Sequence, residues 1–482
     1  MKFAYFLIAL LLLVGRTTLQ AQTLLPGFSK AEYTELMRVS ARTTFDTVYA
    51  NKHPAPERFR MVYRSPVSGL DNLWDLWADG QGTAAISIRG TTKKQESWLE
   101  NFYAAMVPAK GSLVLPGNTH FSYQLAPQQG AAVHMGWLIG MASMAGDMRS
   151  KIDSAYRAGT RNLLIVGHSQ GGAIAYLLTA YLLQLQQLRQ LPAYLRVKTY
   201  CSAAPKPGNT QFAYAYEAMT FGGWAFNVVN SADWVPESPF TIQTISDFNK
   251  QNPFGGAKDA IRKVKFPQRL ALMHVYNRLD KTTRKADKTY RKYLGRMIGK
   301  QVAKLMPGLD VPDYVASNNY ARAGTPVVLL ADSAYFAQYS DTSANIWIHH
   351  LHAPYLLLLD RLAPNATAMQ SIPDGSWELS FLAGSPQPIA ELYPGRKPSL
   401  QFDAANARVG GSTGCNRFSG GVTLGEKSIH FAAMALTKMY CPGEGEKRFL
   451  DALQQANAFA LTDSGELTLL RDQEPLMRLQ KR

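Results

Sequence analysis

Apolar positions recur at helical spacing over residues 28–50, and Ser29 stands where it would cap the first turn. Two strand-like runs follow, near 59–63 and over 83–88. Helical spacing returns over 134–157 and stops at Ala158-Gly159. Residues 163–166 are apolar at every position, as in a strand buried on both faces, and 173–188 resume as a long apolar helix. Further short apolar strands fall at 197–201 and 225–229. Strands alternating with helices predict an α/β fold with a mostly parallel sheet covered on both sides. The rhythm changes after residue 362. Residues 363–376 are small, polar and Pro-containing, which predicts a linker. Short segments such as 377–382 and 399–402 then predict a small β-rich domain holding one helix, over 447–456.

At 482 residues the chain is too long for one small core, and 46% hydrophobic with 11% aromatic residues describes a folded protein. Residues 1–21 carry one Lys, then an apolar run over 3–14 too short to cross a bilayer, then Leu19-Gln20-Ala21. This reads as a cleaved secretory signal peptide; an uncleaved amino-terminal anchor is the alternative. Export to the periplasm, the outer membrane or the medium is the expectation. No later stretch of 18 apolar residues appears, so the mature chain is expected to be soluble or peripheral.

The order Gly167-His168-Ser169-Gln170-Gly171-Gly172 sits between the strand at 163–166 and the helix at 173–188. A nucleophilic serine on a tight strand-to-helix turn needs Gly two residues to either side, because a side chain there meets backbone. The helix that follows aims its N-terminus at the site. The alternative reading is a Gly-rich loop that binds phosphate or nothing.

Five motifs resemble, in order, those of the class 3 lipases, the fungal-lipase-like branch of the α/β-hydrolases. The Ser169 turn is one. Ile86-Ser87-Ile88-Arg89-Gly90-Thr91, with Trp98 and Asn101 after it, resembles the family's strand ending in Arg-Gly-Ser/Thr and its Trp-x-x-Asp/Asn pattern. Val133-His134, Gly136 and Trp137 are similar to Val-His-x-Gly-Phe, and Ser202-Ala203-Ala204-Pro205-Lys206-Pro207-Gly208-Asn209 to Gly-Ser-Pro-Arg-Val-Gly-Asn. The run from Asn227 to Pro236 resembles the Val-Asn-x-x-Asp-x-Val-Pro that carries the acid. The resemblance implies an α/β-hydrolase domain over 22–362 that cleaves lipid esters, with no metal or cofactor. It implies Ser169 as nucleophile, Asp233 as the acid orienting the base, and Gln170 and Thr91 as oxyanion donors. Asp233 as a solvated turn residue and Thr91 as a strand cap are the plainer alternatives. The family has Leu where this chain has Gln170, which implies an altered rim. His349, His350 and His352 all precede the last helix. The family's spacing implies His350 as the base, with His352 the alternative, while His134 and His168 fall outside the order Ser…Asp…His and read as structural.

Between Asp233 and His350 lie 116 residues. The net charge is +16, and residues 258–304 alone hold fifteen Lys or Arg against Asp259, Asp280 and Asp287. A helix over 283–304 with an apolar stripe is expected in this basic insertion. It reads as a cap over the site, an amphipathic element that meets anionic lipid, or a solvated insertion. No nucleic-acid reading motif accompanies it, so nucleic acid is not an expected partner.

Gly414-Cys415-Asn416-Arg417-Phe418, then Thr437-Lys438-Met439-Tyr440-Cys441, and Trp377 ahead of both, are similar to the motifs of META domains. This implies a META-like domain over 377–482, a module of exported bacterial proteins without a settled chemistry. Cys415 and Cys441 are expected to pair or to be two buried thiols; a bond closing this 27-residue loop contributes on the order of 3–4 kcal/mol. The competing functional class is a non-catalytic envelope protein that binds through this domain.

Overall fold

A seven-stranded sheet carries the site, in the order β1 (Arg60–Arg64), β2 (Trp74–Ala78), β3 (Thr83–Ile88), β4 (Asn162–His168), β5 (Arg196–Ser202), β6 (Ala225–Asn230) and β7 (Thr325–Leu329). The computed structural model describes residues 24–44, 46–362, 375–385, 387–403, 408–424, 428–461, 466–472 and 474–481. The leader and most of the linker lie outside them. β1 to β3 pair antiparallel and β3 to β7 parallel. β3, β4 and β6 are buried at every position, which is why apolar residues dominate them.

Two pairs of helices pack on this sheet: α1 (Lys30–Ser40) with α7 (His352–Arg361), and α3 (Met135–Arg157) with α4 (Gln170–Gln187). A shorter α2 (Gln95–Phe102) follows β3 and packs on α3. The helix expected over 28–50 stops at Ser40. Thr43 turns away to bond Ser87 of β3 at 2.7 Å, and Asp46 caps a separate turn at Thr47–Ala50. β2 and β7 escaped the sequence reading. The charged Asp75 in β2 is fully buried against Arg64 (2.7 Å), and Pro326 is tolerated because β7 is an edge strand. The insertion helix is longer than expected: α5 (Gln268–Arg291) runs through a π-helical turn, Lys292–Met297, into α6 (Ile298–Leu305).

The second compact unit runs from Leu362 to Arg482 and also takes in Leu25–Gly27. Its strands β8 (Gly375–Leu382), β9 (Ser399–Asp403), β10 (Arg408–Ser412), β11 (Arg417–Leu424), β12 (Ile429–Phe431), β13 (Ala458–Leu461), β14 (Glu466–Arg471) and β15 (Glu474–Lys481) are antiparallel, in the order β12-β11-β10-β9-β8-β15-β14-β13. A bridge between Ser428 and Ala458 nearly closes it into a barrel. Helix α8 (Gly445–Gln455) contributes Phe449 and Leu453 to its core.

Candidate active site

Ser169 sits between β4 and α4 with φ 61° and ψ −132°, a strained backbone for a residue with a side chain. Its amide donates to Ser202 O at 2.9 Å. A Cβ on Gly167 would lie 2.1 Å from the Gly171 carbonyl carbon, and one on Gly171 would lie 2.2 Å from Ile88 O. Both glycines are therefore obligatory for this bend. Gln170 opens α4, so its N–H has no intrahelical acceptor and is free for a ligand.

The loop after β3 brings Thr91 to the same region. Thr91 Oγ1 accepts from Asn101 Nδ2 at 2.9 Å, and Asn101 Oδ1 accepts from Trp137 Nε1 at 3.0 Å. His134 closes the network. Its Nδ1 accepts the Trp137 amide at 3.3 Å and caps α3, and its Nε2 donates to Asn101 O at 3.1 Å. Burial pushes its pKa down to about 3, so it stays neutral. The other flank of the loop is held by Asp71, which accepts from Thr92 Oγ1 at 2.6 Å and pairs with Lys94 at 2.7 Å and Arg89 at 3.2 Å. Gln170 does not shape a rim, as its departure from the family pattern implied. Its side chain is buried, accepting from Ser97 Oγ at 3.1 Å and donating to Ser97 O at 3.3 Å, so it ties α2 to α4. Close by, burial holds the Glu100 carboxyl well above its ordinary range, and Asn72 Nδ2 donates to it at 2.8 Å.

Asp233 follows β6 and is buried. Its Oδ1 accepts the Val235 amide at 3.0 Å, while Oδ2 accepts from His350 Nδ1 at 2.7 Å and from the Tyr355 hydroxyl at 2.8 Å. Of the three clustered histidines only His350 meets Asp233. His349 Nδ1 bonds the Tyr335 hydroxyl at 2.8 Å, and His352 uses Nδ1 on Tyr49 (2.7 Å) and Nε2 on Ser40 (3.2 Å). His350 Nε2 is buried and has no hydrogen-bond partner among the described residues, so the bond to Ser169 Oγ is not made here. Trp347 lies over the His350 ring, with centroids 5.7 Å apart, and is flanked by Trp234 (5.0 Å) and Trp98 (5.9 Å).

His168, next to the serine, links the elbow to the segment bearing His350. Its Nε2 lies 2.6 Å from His350 O, its Nδ1 3.0 Å from Ser202 Oγ, and Ser202 Oγ lies 2.6 Å from the Tyr33 hydroxyl. A carbonyl only accepts, which fixes every proton: Tyr33 donates to Ser202, Ser202 to His168, and His168 to His350 O. Burial and the nearby imidazoles of His352 and His350 hold His168 well below the ordinary histidine range, and burial pushes His352 down to about 3. Tyr33, Tyr355 and Glu100 were not anticipated from sequence. Ser202 was, though only as the first residue of a turn motif.

In the second unit Cys415 and Cys441 are disulfide-bonded. Between them, Asn416 Oδ1 accepts from Met439 N and Thr437 Oγ1, each at 2.8 Å, and Asn416 Nδ2 donates to Met439 O at 3.0 Å. The motif residues thus clamp two loops together.

A mostly parallel sheet with a serine on a strained strand-to-helix turn, just ahead of a helix N-terminus, is the arrangement of an α/β-hydrolase fold. Residues 85–243 match the class 3 lipase family and residues 370–482 match the META domain. The chain thus carries a region similar to the class 3 lipases and, after it, a region similar to META domains. No curated protein matches it. Among solved structures it is similar to a Rhizomucor miehei lipase–propeptide complex, with 22% identity over 44% of this chain and 62% of that one and a TM-score of 0.32. It is also similar to lipase II from Rhizopus niveus (23%, 44% and 74%, TM-score 0.32) and to Lip2 lipase from Yarrowia lipolytica (17%, 45% and 78%, TM-score 0.33). The chain thus spans under two thirds of the first of these, and likenesses this distant say nothing of substrate.

Proposed function

We propose that this protein hydrolyses carboxylic esters of lipids, acylglycerol or phospholipid, through an acyl-enzyme on Ser169. Ser169 Oγ attacks the ester carbonyl and its proton passes to His350 Nε2. Asp233 holds Nδ1–H and stabilises the imidazolium, which returns the proton to the departing alcohol. Water then repeats the sequence on the acyl-enzyme and releases the acid. The Gln170 amide and the Thr91 hydroxyl and amide receive the oxyanion. Because Thr91 Oγ1 accepts from Asn101, its own proton is free to point at the substrate. No metal or cofactor enters these steps.

The observation that carries this reading is the Asp233–His350 bond at 2.7 Å combined with a partnerless Nε2 on the segment that His168 ties to the serine elbow. His352 is disfavoured because both of its ring nitrogens are engaged. We further propose that the chain is exported after loss of residues 1–21, that 363–376 links its two domains, and that the basic insertion meets anionic lipid. A fluorophosphonate probe tests the chemistry. Wild type is expected to be labelled and Ser169→Ala not. Absence of label on wild type would favour a binding protein acting through the META domain.

A further inference from the structure

Helix α5 presents three faces. One is turned inward: Asp280, Asp287 and Tyr290 are buried, and Asn318 donates to Asp287 at 2.6 Å. At 100° per residue, Leu272, Val275 and Leu279 share a second face with Thr282, Ala286, Thr289 and Tyr293. Val275 is 55% exposed and Leu279 65%, a large apolar area for one helix to leave in water. Along that stripe a shallow groove of about 490 Å³ opens at Thr282, Ala286, Thr289, Tyr290 and Tyr293. Tyr290 lines it with a hydroxyl that has no hydrogen-bond partner among the described residues. The third face carries Arg278, Lys281, Lys285 and Lys288, immediately beside the apolar stripe, and Lys292 follows at the start of the π-helical turn. The ion pairs on this helix are Arg284–Asp280 and Arg291–Asp287, and among the described residues those five cations have no carboxylate partner.

We propose that the Leu272–Tyr293 face docks on an anionic lipid surface, the apolar stripe entering the acyl boundary and the cationic face lying against the headgroups. The inference rests on the lipid-ester reading above and names the surface on which that substrate is met. Charge complementarity selects the occupant. An apolar stripe bordered on one side by unneutralised lysines is the arrangement of a helix lying in an anionic interface, whereas a polyanion such as RNA would engage the cations and leave the stripe wet. The face is also tied to the site. In the π-helical turn, Leu294 O accepts the Ala105 amide at 3.0 Å, and Gly295 and Gly299 let the helix approach Ala105 and Tyr103. That segment leaves α2, whose Asn101 bonds Thr91 at 2.9 Å. Docking therefore fixes the position of the oxyanion loop relative to the lipid.

Co-sedimentation of the full-length Ser169→Ala chain with vesicles tests this without turnover. Binding to phosphatidylglycerol vesicles is expected to exceed binding to phosphatidylcholine and to weaken steeply in 0.5 M salt. Lys281→Gln, Lys285→Gln and Lys288→Gln together should weaken it roughly 100-fold at low salt. Leu272→Ser, Val275→Ser and Leu279→Ser together should weaken it at low and high salt alike, by roughly tenfold or more. Both triple variants in the wild-type background are expected to cleave a soluble short-chain ester normally, which reports an intact fold. Equal binding to both vesicle types, or binding that ignores the apolar substitutions and is lost to competing RNA, would overturn the proposal. Vesicle binding without cleavage of any soluble ester by wild type would instead sink the catalytic reading and leave docking standing.

Discussion

Around Ser169 the ionisable residues are buried, held neutral or matched, and each hydrogen-bonds to a named partner. His134, His168 and His352 keep depressed proton affinities, and Asp233 is met by two donors. Along α5 the lysines are exposed and the carboxylates are the buried minority. The contrast suits two different tasks, the proposed chemistry at Ser169 and the proposed docking along α5. Chemistry at a bond needs charges fixed to within tenths of an ångström in a place water cannot relax. Attraction to a surface needs only their sign and their spacing.

That division predicts which changes are felt where. The largest separation should come from Asp233→Asn. Turnover of a soluble ester is expected to fall by roughly 10⁴-fold as the wrong tautomer of His350 is favoured, while vesicle binding stays at the wild-type level. Thr91→Val removes one oxyanion donor and breaks the bond from Asn101. A loss in kcat of roughly 100-fold with little change in KM is expected from steady-state kinetics. Tyr355→Phe removes one of the two side-chain donors to a buried carboxylate; a fall in kcat of roughly tenfold with little change in KM is expected from steady-state kinetics. The smallest effect is on stability. The folded chain refuses protons at His134 and His352 down to about pH 3, while the unfolded chain takes them up near the ordinary imidazole value of about 6.5. Stability is therefore lost as pH falls through that window. His352→Gln should make the loss shallower by up to about 1.4 kcal/mol per pH unit, and the three Lys→Gln changes on α5 should leave it as it is. Urea midpoints from pH 8 to pH 4 measure both.

Local rules made much of the fold legible. The continuous apolar run within β4, the glycines at 167 and 171, and the Gly-His-Ser-Gln-Gly turn each encode their own neighbourhood. Residues that act across the sheet were harder to find. Tyr33 reaches Ser202 over 169 positions, and nothing near it in the chain marks a polar role. Glu100 looks like a surface acid of an amphipathic helix until Asn72 and the wall of α3 close over it. Gln170, standing beside Ser169 where the family has Leu, looks from the sequence like a rim residue. Its amide instead has Ser97 to bond on α2, a partner that only folding supplies. The three histidines at 349, 350 and 352 could not be ranked from spacing with much force, since each imidazole has a different long-range neighbour and those neighbours decide.

The proton-ordered chain from Tyr33 through Ser202 and His168 to the His350 carbonyl begins on α1. The amino-terminal helix is thus part of the apparatus that holds the proposed general base. Anything that loosens this end of the polypeptide, such as a fused tag or a protease clipping ahead of Ser40, should reach the reacting atoms as a loss of alignment and not as a loss of binding. The first helix of the domain would then act as a tension peg for the segment that bears His350.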